Sequence, residues 1–469
     1  MPITNGFSSD NGFSISPTPK KMTLESNYLG SSDFNFLNQY LPDVYEQEFE
    51  RYGNRSVSSF LRMVGAEMPT NSDLIKWTEQ GRLHIKYVDV ATTSADTADV
   101  ATWTISDTGA NNSIRIGNTV MIYSNAASPA GASSVKAIVT GVGSGATANQ
   151  FTVAYYAAAQ GIAADEVCSV FVYGSEFKKG TTGMQGSLEP EPNIFENKPI
   201  ILKDHFEING SDMAQIGWIE VTTENGASGY MWYIKAEHET RLRFDDYLET
   251  SMLEAEKAAT GSGALAAAYD GTEGVFAAIE ERGNIYGGVP VDMTDFDLIV
   301  QRLDKQGAIE ENALFLNRQT SFAIDDILAA QNSYGASGTS YGLFDNDENM
   351  ALNLGFSGFR RGYDFYKSDW KYLNDPTMRG GLTNDAIHGM LVPAGSTTVY
   401  DQVLGKNAKR PFLHIRYRAS ENENRRYKTW MTGSAGGART SDLDAMEVNF
   451  LSERAACVLG ANNFVLFKG

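Results

Sequence analysis

Cysteine is almost absent. Cys168 and Cys457 are the two in 469 residues, far apart, and each sits inside an apolar, strand-like stretch. That spacing argues against a disulfide framework and for two small buried hydrophobes in a protein made in a reducing cytoplasm. Long apolar runs are missing as well. None approaches the roughly 18 residues that cross a bilayer, and the start MPITNGFSSDNGFSISP has neither the basic nor the apolar region of a signal peptide. No membrane or export role is expected. Histidine is scarce: His84, His205, His238, His388 and His414 show no metal-ligand spacing, and neither cysteine joins them. No metal and no cofactor is therefore expected. There is no G-x-x-x-x-G-K phosphate loop, and Gly143-Ser144-Gly145 falls between strands and reads as a turn. Basic charge is also short, with 38 Lys and Arg against 58 Asp and Glu, a formal net charge of -20. A protein gripping nucleic acid through its phosphates needs a basic surface, so sequence-specific nucleic-acid binding is not expected.

What is present is an order of parts. Residues 1 to about 36 form a polar arm rich in Ser, Asn, Gly and Pro, with isolated Phe7, Phe13, Ile15 and Leu24. Alone it would be disordered. The spacing of Leu37, Tyr40, Leu41, Val44, Tyr45 and Phe49 predicts a helix from Phe36 to Tyr52, tempered by Pro42. Two alternating strands follow, DLIKWTE around Trp77 and RLHIKYVDV around Ile85, joined by a Glu79-Gln80-Gly81 turn. Leu83, Ile85 and Tyr87 share one face of this ribbon, and Asp89 breaks the alternation.

From about Ala91 to Tyr173 small residues, Thr, Ser and Gly dominate, and ATWTI, SIRIGNTVMIYS, VKAIVTGVG, FTVAYY and CSVFVYG read as strands. Their spacing suits an all-β sandwich or small barrel, inserted as a cassette. IILKDHFEIN is expected to return as the ribbon's second edge. A long amphipathic helix is predicted from about Asn225 to Thr260, with Phe244, Tyr247, Leu248, Met252, Ala255 and Ala259 on one face, stopped by Gly261 and Gly263. Its length would be about 50 Å. MTDFDLIVQRLDKQG and RQTSFAIDDILAAQ then read as helices around a short strand ALFLN. GLTNDAIHGMLVPAGS, RPFLHIRYRAS, AMEVNFLSERAACVLG and NFVLFKG read as mostly antiparallel strands. The class is α+β with an inserted all-β domain.

Candidate chemistry is thin. Gly338-Thr339-Ser340-Tyr341-Gly342 matches G-x-S-x-G, but a nucleophile elbow needs a strand before the serine and a helix after it. Here a Gly/Ser loop and an acidic loop flank it. Asp345, Asp347 and Asn349 have the spacing of half a calcium loop, yet Met350 stands where glycine is required and Phe356 where the bidentate Glu belongs. The carboxylate pairs Glu189/Glu191 and Asp245/Asp246 read as solvated faces. Arg416, Arg418, Arg425 and Arg426 could bind phosphate. The alternation of the first two suggests one face of a strand instead, with partners on a neighbouring subunit.

GAEMPTNSDLIKWTEQGRLH before the insert and VYGSEFKKG…NKPIILKDHFEINGSDMAQIGW after it resemble the two sides of the extended loop of tailed-bacteriophage major capsid proteins with the HK97 fold. RLRFDDYLETSMLEAEKA resembles that family's spine helix, NALFLNRQTSFAIDDIL its axial domain, and AMEVNFLSERAACVLGANNFVLFKG the closing strands of its peripheral domain. Length and insert are compatible with capsid proteins of crAss-like or other short-tailed phages. The resemblance implies an HK97-like α+β fold laid out as an arm (1–36), an N-terminal helix with the first side of the extended loop (37–90), the inserted β domain (91–173) and the loop's second side (174–224). A spine helix with peripheral domain (225–285), an axial domain (286–410) and closing strands (411–469) complete it. It implies a structural, non-enzymatic subunit that forms hexamers and pentamers in an icosahedral head around double-stranded DNA. Assembly would take place in the host bacterial cytoplasm, with scaffolding and portal proteins as partners and a head-decoration protein as a further one. On this reading Trp77, Arg82, His84, Lys178, Lys179, Arg416, Arg418, Arg425 and Arg426 are candidate intersubunit contacts. Some members cross-link a Lys to an Asn; Lys178 and Lys179 lie near the ribbon, but non-covalent locking is the expectation. A bacterial nanocompartment shell, a tail or baseplate protein, and a carbohydrate-active enzyme with an appended β module are the competing readings.

Overall fold

A computed structural model describes residues 66–94, 97–106, 112–158, 161–189, 192–214, 221–222, 228–229, 232–307, 309–332, 357–383, 386–394, 396–401, 406–437 and 439–469. The polar arm, the helix expected over 36–52, the G-x-S-x-G loop and the Asp345/Asp347/Asn349 half-loop lie outside these residues. The chain divides into two compact units, Met1–Lys76 with Glu196–Gly469, and Trp77–Phe195. The boundary passes through two paired strands, β2 (Ile75–Glu79) and β9 (Asn193–Asn197).

Among the described residues the larger unit holds two main sheets. The first runs β1 (Ala66–Thr70), β20 (Leu413–Arg418), β22 (Ala445–Val458), β10 (Ile200–Asn209), and β21 (Lys428–Gly433) pairs with β22 as well. β20 and β21 share one edge of the 14-residue β22, pairing with its two ends, while β10 takes the other edge. The helix α1 (Trp232–Glu254) lies on one face of this sheet. Phe244 and Leu248 of α1 are buried with Ile208, Met446, Val448 and Phe450, and the Phe244 ring is 5.7 Å from Phe450. A fully buried phenylalanine of this kind contributes about 1.5–3 kcal/mol. Arg243 also clamps Asp204 of β10 with two hydrogen bonds of 2.9 and 3.0 Å.

The second sheet runs β13 (Asn284–Gly287), β23 (Val465–Lys468), β17 (Ile387–Pro393), β14 (Glu311–Leu316), β16 (Tyr363–Asp369), β15 (Gly358–Arg361). Against it pack α2 (Val275–Arg282), α3 (Met293–Gln306) and α4 (Arg318–Asn332). In α3 an Asp292/Asp295 capping box starts the helix, Phe296, Ile299 and Leu303 are its buried stripe, and Gly307 at φ 73° ends it. One cluster, including Met252, Phe276, Ile279, Trp370, Leu413, Ala456 and Leu466, joins the two sheets into a common core. Two small pairings, β11 (Val221–Thr222) with β12 (Ser228–Gly229) and β18 (Ser396–Asp401) with β19 (Lys406–Pro411), stand apart.

In the smaller unit six strands close into a barrel in the order β3-β4-β7-β6-β5-β8: β3 (Lys86–Ala91), β4 (Val100–Ile105), β5 (Asn118–Ser124), β6 (Ser134–Val142), β7 (Gln150–Tyr155) and β8 (Cys168–Ser175). Alternation fills its interior with Val90, Trp103, Ile105, Val120, Ile122, Phe151 and Val153, each 0 % exposed. Inside, Trp103 Nε1 donates to the Tyr155 hydroxyl at 2.7 Å, so the one polar atom of the indole is satisfied. Asp89, where the sequence alternation breaks, sits at φ 57°, and the β3–β8 register shifts between Tyr87 and Val90.

Several expectations need correction. The described part of the long helix is 23 residues and stops at Glu254, not Thr260; at 1.5 Å per residue it spans roughly 35 Å rather than about 50 Å. The chain folds back after it: Gly274 N donates to Ala255 O at 2.7 Å and Ala258 N to Asp270 O at 2.8 Å. A Cβ at Gly274 would sit 2.6 Å from Ala255 O, so this close return requires glycine. Tyr247 is 47 % exposed and Ala259 is also exposed, whereas Leu253 is buried. The Glu79-Gln80-Gly81 turn does not close a hairpin, because β2 pairs with β9 while β3 belongs to the barrel. Leu83 is accordingly 85 % exposed. β10, expected on the ribbon, pairs antiparallel with β22 over ten residues. The later strands β17, β20, β22 and β23 are mostly antiparallel as expected, β17 to β14 and β23 and β22 to β10, β20 and β21, while β1–β20, β13–β23 and β14–β16, which bring in earlier strands, are parallel. Alternation reveals a strand's faces, and it is silent on which partner lies beside it.

Candidate assembly surface

β22 carries Ser452-Glu453-Arg454 between the apolar Phe450-Leu451 and Ala455-Ala456, and all three are buried. This position falls between the ends of β20 and β21, where the connecting loop 419–427 covers β22. The loop's backbone continues the pairing: Arg425 N donates to Arg418 O at 2.9 Å, and Glu453 N to Arg425 O at 3.0 Å. Its side chains complete it. Glu453 faces Arg425 at 3.0 Å and Arg418 at 3.8 Å, and Arg418 also pairs with Asp73. Glu67 of β1 pairs with Arg426 and, at 3.4 Å, with Arg454. Ser452 Oγ and Arg454 Nη2 both donate to Arg426 O, at 2.6 and 3.0 Å. Burying Glu453 unpaired would be costly, and two guanidiniums offset that cost.

Three of the four arginines expected to reach a neighbour, Arg418, Arg425 and Arg426, thus face carboxylates within their own chain. Arg418, Arg425 and Arg426 are brought together. Arg416 is half-buried in β20, opposite Met68 of β1 and Ala455 of β22. A phosphate reading loses support, since Arg418, Arg425 and Arg426 each already face an acid. Asp245 and Asp246 are half-buried on α1 rather than solvated. Beside Asp245, burial pushes the Tyr427 hydroxyl up to about 12.

The remaining candidates lie in residues 77–195. Trp77 is half-buried, donates from Nε1 to Glu79 Oε1 at 3.1 Å, and has its ring 6.2 Å from Phe195. Arg82, His84, Lys178 and Lys179 are exposed, and the Lys178 carbonyl accepts from Thr181 Oγ1 at 2.7 Å.

Sequence reasoning missed Asn197. Where β9 ends it is 0 % exposed, with Nδ2 donating to Glu273 O at 2.9 Å and Ala456 O at 2.7 Å. Its Oδ1 accepts from Thr272 Oγ1 at 3.0 Å, Glu273 N at 2.8 Å and Lys198 N at 2.9 Å. One side chain therefore ties the strand's end to the loop before α2 and to β22. Nearby, Lys76 pairs with Glu196 at 3.2 Å and holds that carboxyl below its ordinary range. Nothing in the sequence singles out one asparagine for such a role. Ser452-Glu453-Arg454, by contrast, is a readable signal, three consecutive polar residues flanked on both sides by apolar pairs.

On the sheet face away from α1, Glu447 and Asn449 of β22 are half-buried and Leu451 is buried, while β10 and Trp430 of β21 are exposed. β10 alternates, with Leu202, Phe206 and Ile208 packed toward α1 and Lys203, His205 and Glu207 exposed. Among the described residues no group of three or more His, Cys, Asp or Glu is placed to hold a metal, and no helix is long and apolar enough to cross a membrane.

No protein-family model matches the chain, and no curated protein matches it. Solved structures do. A chain from Gordonia phage Cozz is 11% identical, covering 95% of this chain and 98% of that one, with a TM-score of 0.38. A chain from the capsid of the native GTA particle, computed with C5 symmetry, is 10% identical over 92% and 95%, also at 0.38. A chain from the capsid structure of the cyanophage P-SCSP1u is 8% identical over 63% and 80%, at 0.34. At these TM-scores the overlaps are loose and carry no assignment.

Proposed function

We propose that this chain is a structural shell subunit, the major capsid protein of a tailed bacteriophage. The observation that supports this most is the order and pairing of parts. A two-stranded ribbon, β2 with β9, joins a two-sheet body to an inserted barrel, α1 lies along one sheet, and β22 and β23 each close a sheet at the carboxy terminus. That is the order by which the sequence resembles the HK97-fold family. On this reading residues 1–36 act as a clamp on a neighbour, α1 is the spine, and the exposed Arg82, His84, Lys178 and Lys179, with Trp77, serve as contacts between subunits. Hexamers and pentamers would tile an icosahedral head around double-stranded DNA, and many weak symmetric contacts would sum to a rigid wall. The net charge of -20 suits an inner wall that must not hold DNA fast. Assembly would take place in the host cytoplasm with scaffolding and portal proteins, and the product would be the virion head.

Negative-stain microscopy and sedimentation of the purified full chain test this reading. Closed shells, or free pentamers and hexamers, are expected. A monodisperse monomer that hydrolyses a glycan would overturn the proposal.

A further inference from the structure

The face of the first sheet away from α1, exposed along β10 and at Trp430, carries charge in bands that its own strands leave unbalanced. Across β10, β22 and β21 the register aligns Lys203, Leu451 and Lys428 in one row. His205, Asn449 and Trp430 form the next, followed by Glu207, Glu447 and Thr432. Two lysines therefore flank one end of the face, and at the other end two glutamates lie directly opposite each other, an arrangement that destabilises a sheet. Compensation within the chain is partial. Lys428 reaches Glu423 at 2.6 Å, and Glu447 accepts from Thr432 Oγ1 at 2.7 Å. Lys203 and Glu207 stay exposed, as does Trp430 at 36 % in the middle row. The bands stand four residues apart, about 13 Å.

We propose that this face is a contact with a second copy of the same chain, related by a twofold axis that runs across the strands along the middle row. Such an axis reverses strand direction in the partner. The lysine band of each copy then meets the glutamate band of the other, and Trp430 meets its own copy. The surface is self-complementary, which an isologous contact requires. An axis along the strands would set lysine against lysine, so the charge pattern also selects the orientation. Three strands give a patch of roughly 10 by 14 Å, far less than the ~800 Å² per partner of a freestanding dimer. The contact is therefore one weak member of a larger set, and in this it rests on the shell reading.

The test uses the full chain in three forms, K203E/K428E, E207K/E447K and the fourfold exchange, with assembly followed by sedimentation and microscopy. Each double variant alone should lose shells at least tenfold. An equimolar mixture of the two, and the fourfold exchange in one chain, should both restore them, which also shows that the double variants fold. Wild-type shells with double variants that assemble equally well would overturn the contact alone. So would losses that neither the mixture nor the fourfold exchange repairs, since the face would then serve another partner. A wild-type chain that stays monomeric would overturn both this contact and the shell reading.

Discussion

In the barrel of residues 77–195 every strand pair is antiparallel, and three of the six pairings join consecutive strands, β3 with β4, β5 with β6 and β6 with β7. In the larger unit β1 lies parallel to β20, and Glu67 meets Arg426 across 359 residues of chain. The barrel's interior is a single apolar cluster with one indole–phenol hydrogen bond inside. The larger unit instead spends buried polar side chains, Asn197, Glu453 and Arg454, on holding distant segments together. Local alternation suffices where strands follow one another. Where strands converge from far apart, loop-closure entropy opposes the pairing, and specific polar ties select the partner.

That contrast can be broken or sharpened by mutation. The largest effect is expected from Trp103→Ala, which empties the barrel's centre and leaves the Tyr155 hydroxyl without its donor, at a cost of about 3–5 kcal/mol. Hydrogen exchange of the full chain, read peptide by peptide, should show protection lost in β3–β8 and kept in β22. Equal loss in both would break the comparison. Asn197→Ala should do the reverse. It strands the Glu273 and Ala456 carbonyls and the Thr272 hydroxyl, costs about 2–4 kcal/mol, and should lower protection in α2 and β22 while sparing the barrel.

An alkaline titration should separate the barrel further. Burial pushes the Cys168 thiol up to about 11 from 9.0 and the Tyr155 hydroxyl up to about 12 from 10.0. The folded barrel keeps protons that the unfolded chain releases. Its stability is therefore intact below about pH 9 and declines as pH rises through 9 to 12. Pulse proteolysis in urea should show barrel fragments at falling midpoints over pH 9–11. Cys168→Ala should flatten that slope, and an unchanged slope would remove the thiol from the account. The smallest effect belongs to Asp292→Ala, which deletes the capping box of α3 and should cost about 1 kcal/mol. A thermal melt would register it as a shift of a few degrees, confined by hydrogen exchange to the larger unit.

The two helices α3 and α4 were legible because a 3.6-residue period and a cap are local properties. The strands around Trp103, Ile122, Val139 and Val153 were legible for the same reason at period two. The stop of α1 at Glu254 was not, since it depends on Gly274 approaching Ala255 from nineteen residues later in the fold's return loop. β15 and β16, in GFRRGYDFYKSD, went unread because Arg, Asp and Lys interrupt their alternation. The arginine candidates were found by type, but their partners within the chain were not: Arg418 and Arg425 face Glu453, and Arg426 faces Glu67. Charge and spacing indicate that a guanidinium needs a carboxylate, whereas the loop over β22 decides that Glu453 and Glu67 supply it.

By itself, then, the sequence determined the local units, namely the amphipathic helices, the alternating strands, the cysteines buried as hydrophobes and the excess of negative charge. Each follows from the side chains of a few consecutive residues. Only the tertiary structure decided the pairings: β2 with β9 rather than β3, β10 with β22, Asn197 as the tie at the ribbon's end, and the lysine and glutamate bands that come into register across three strands. Those depend on which distant segments meet, and neither period nor composition encodes a partner.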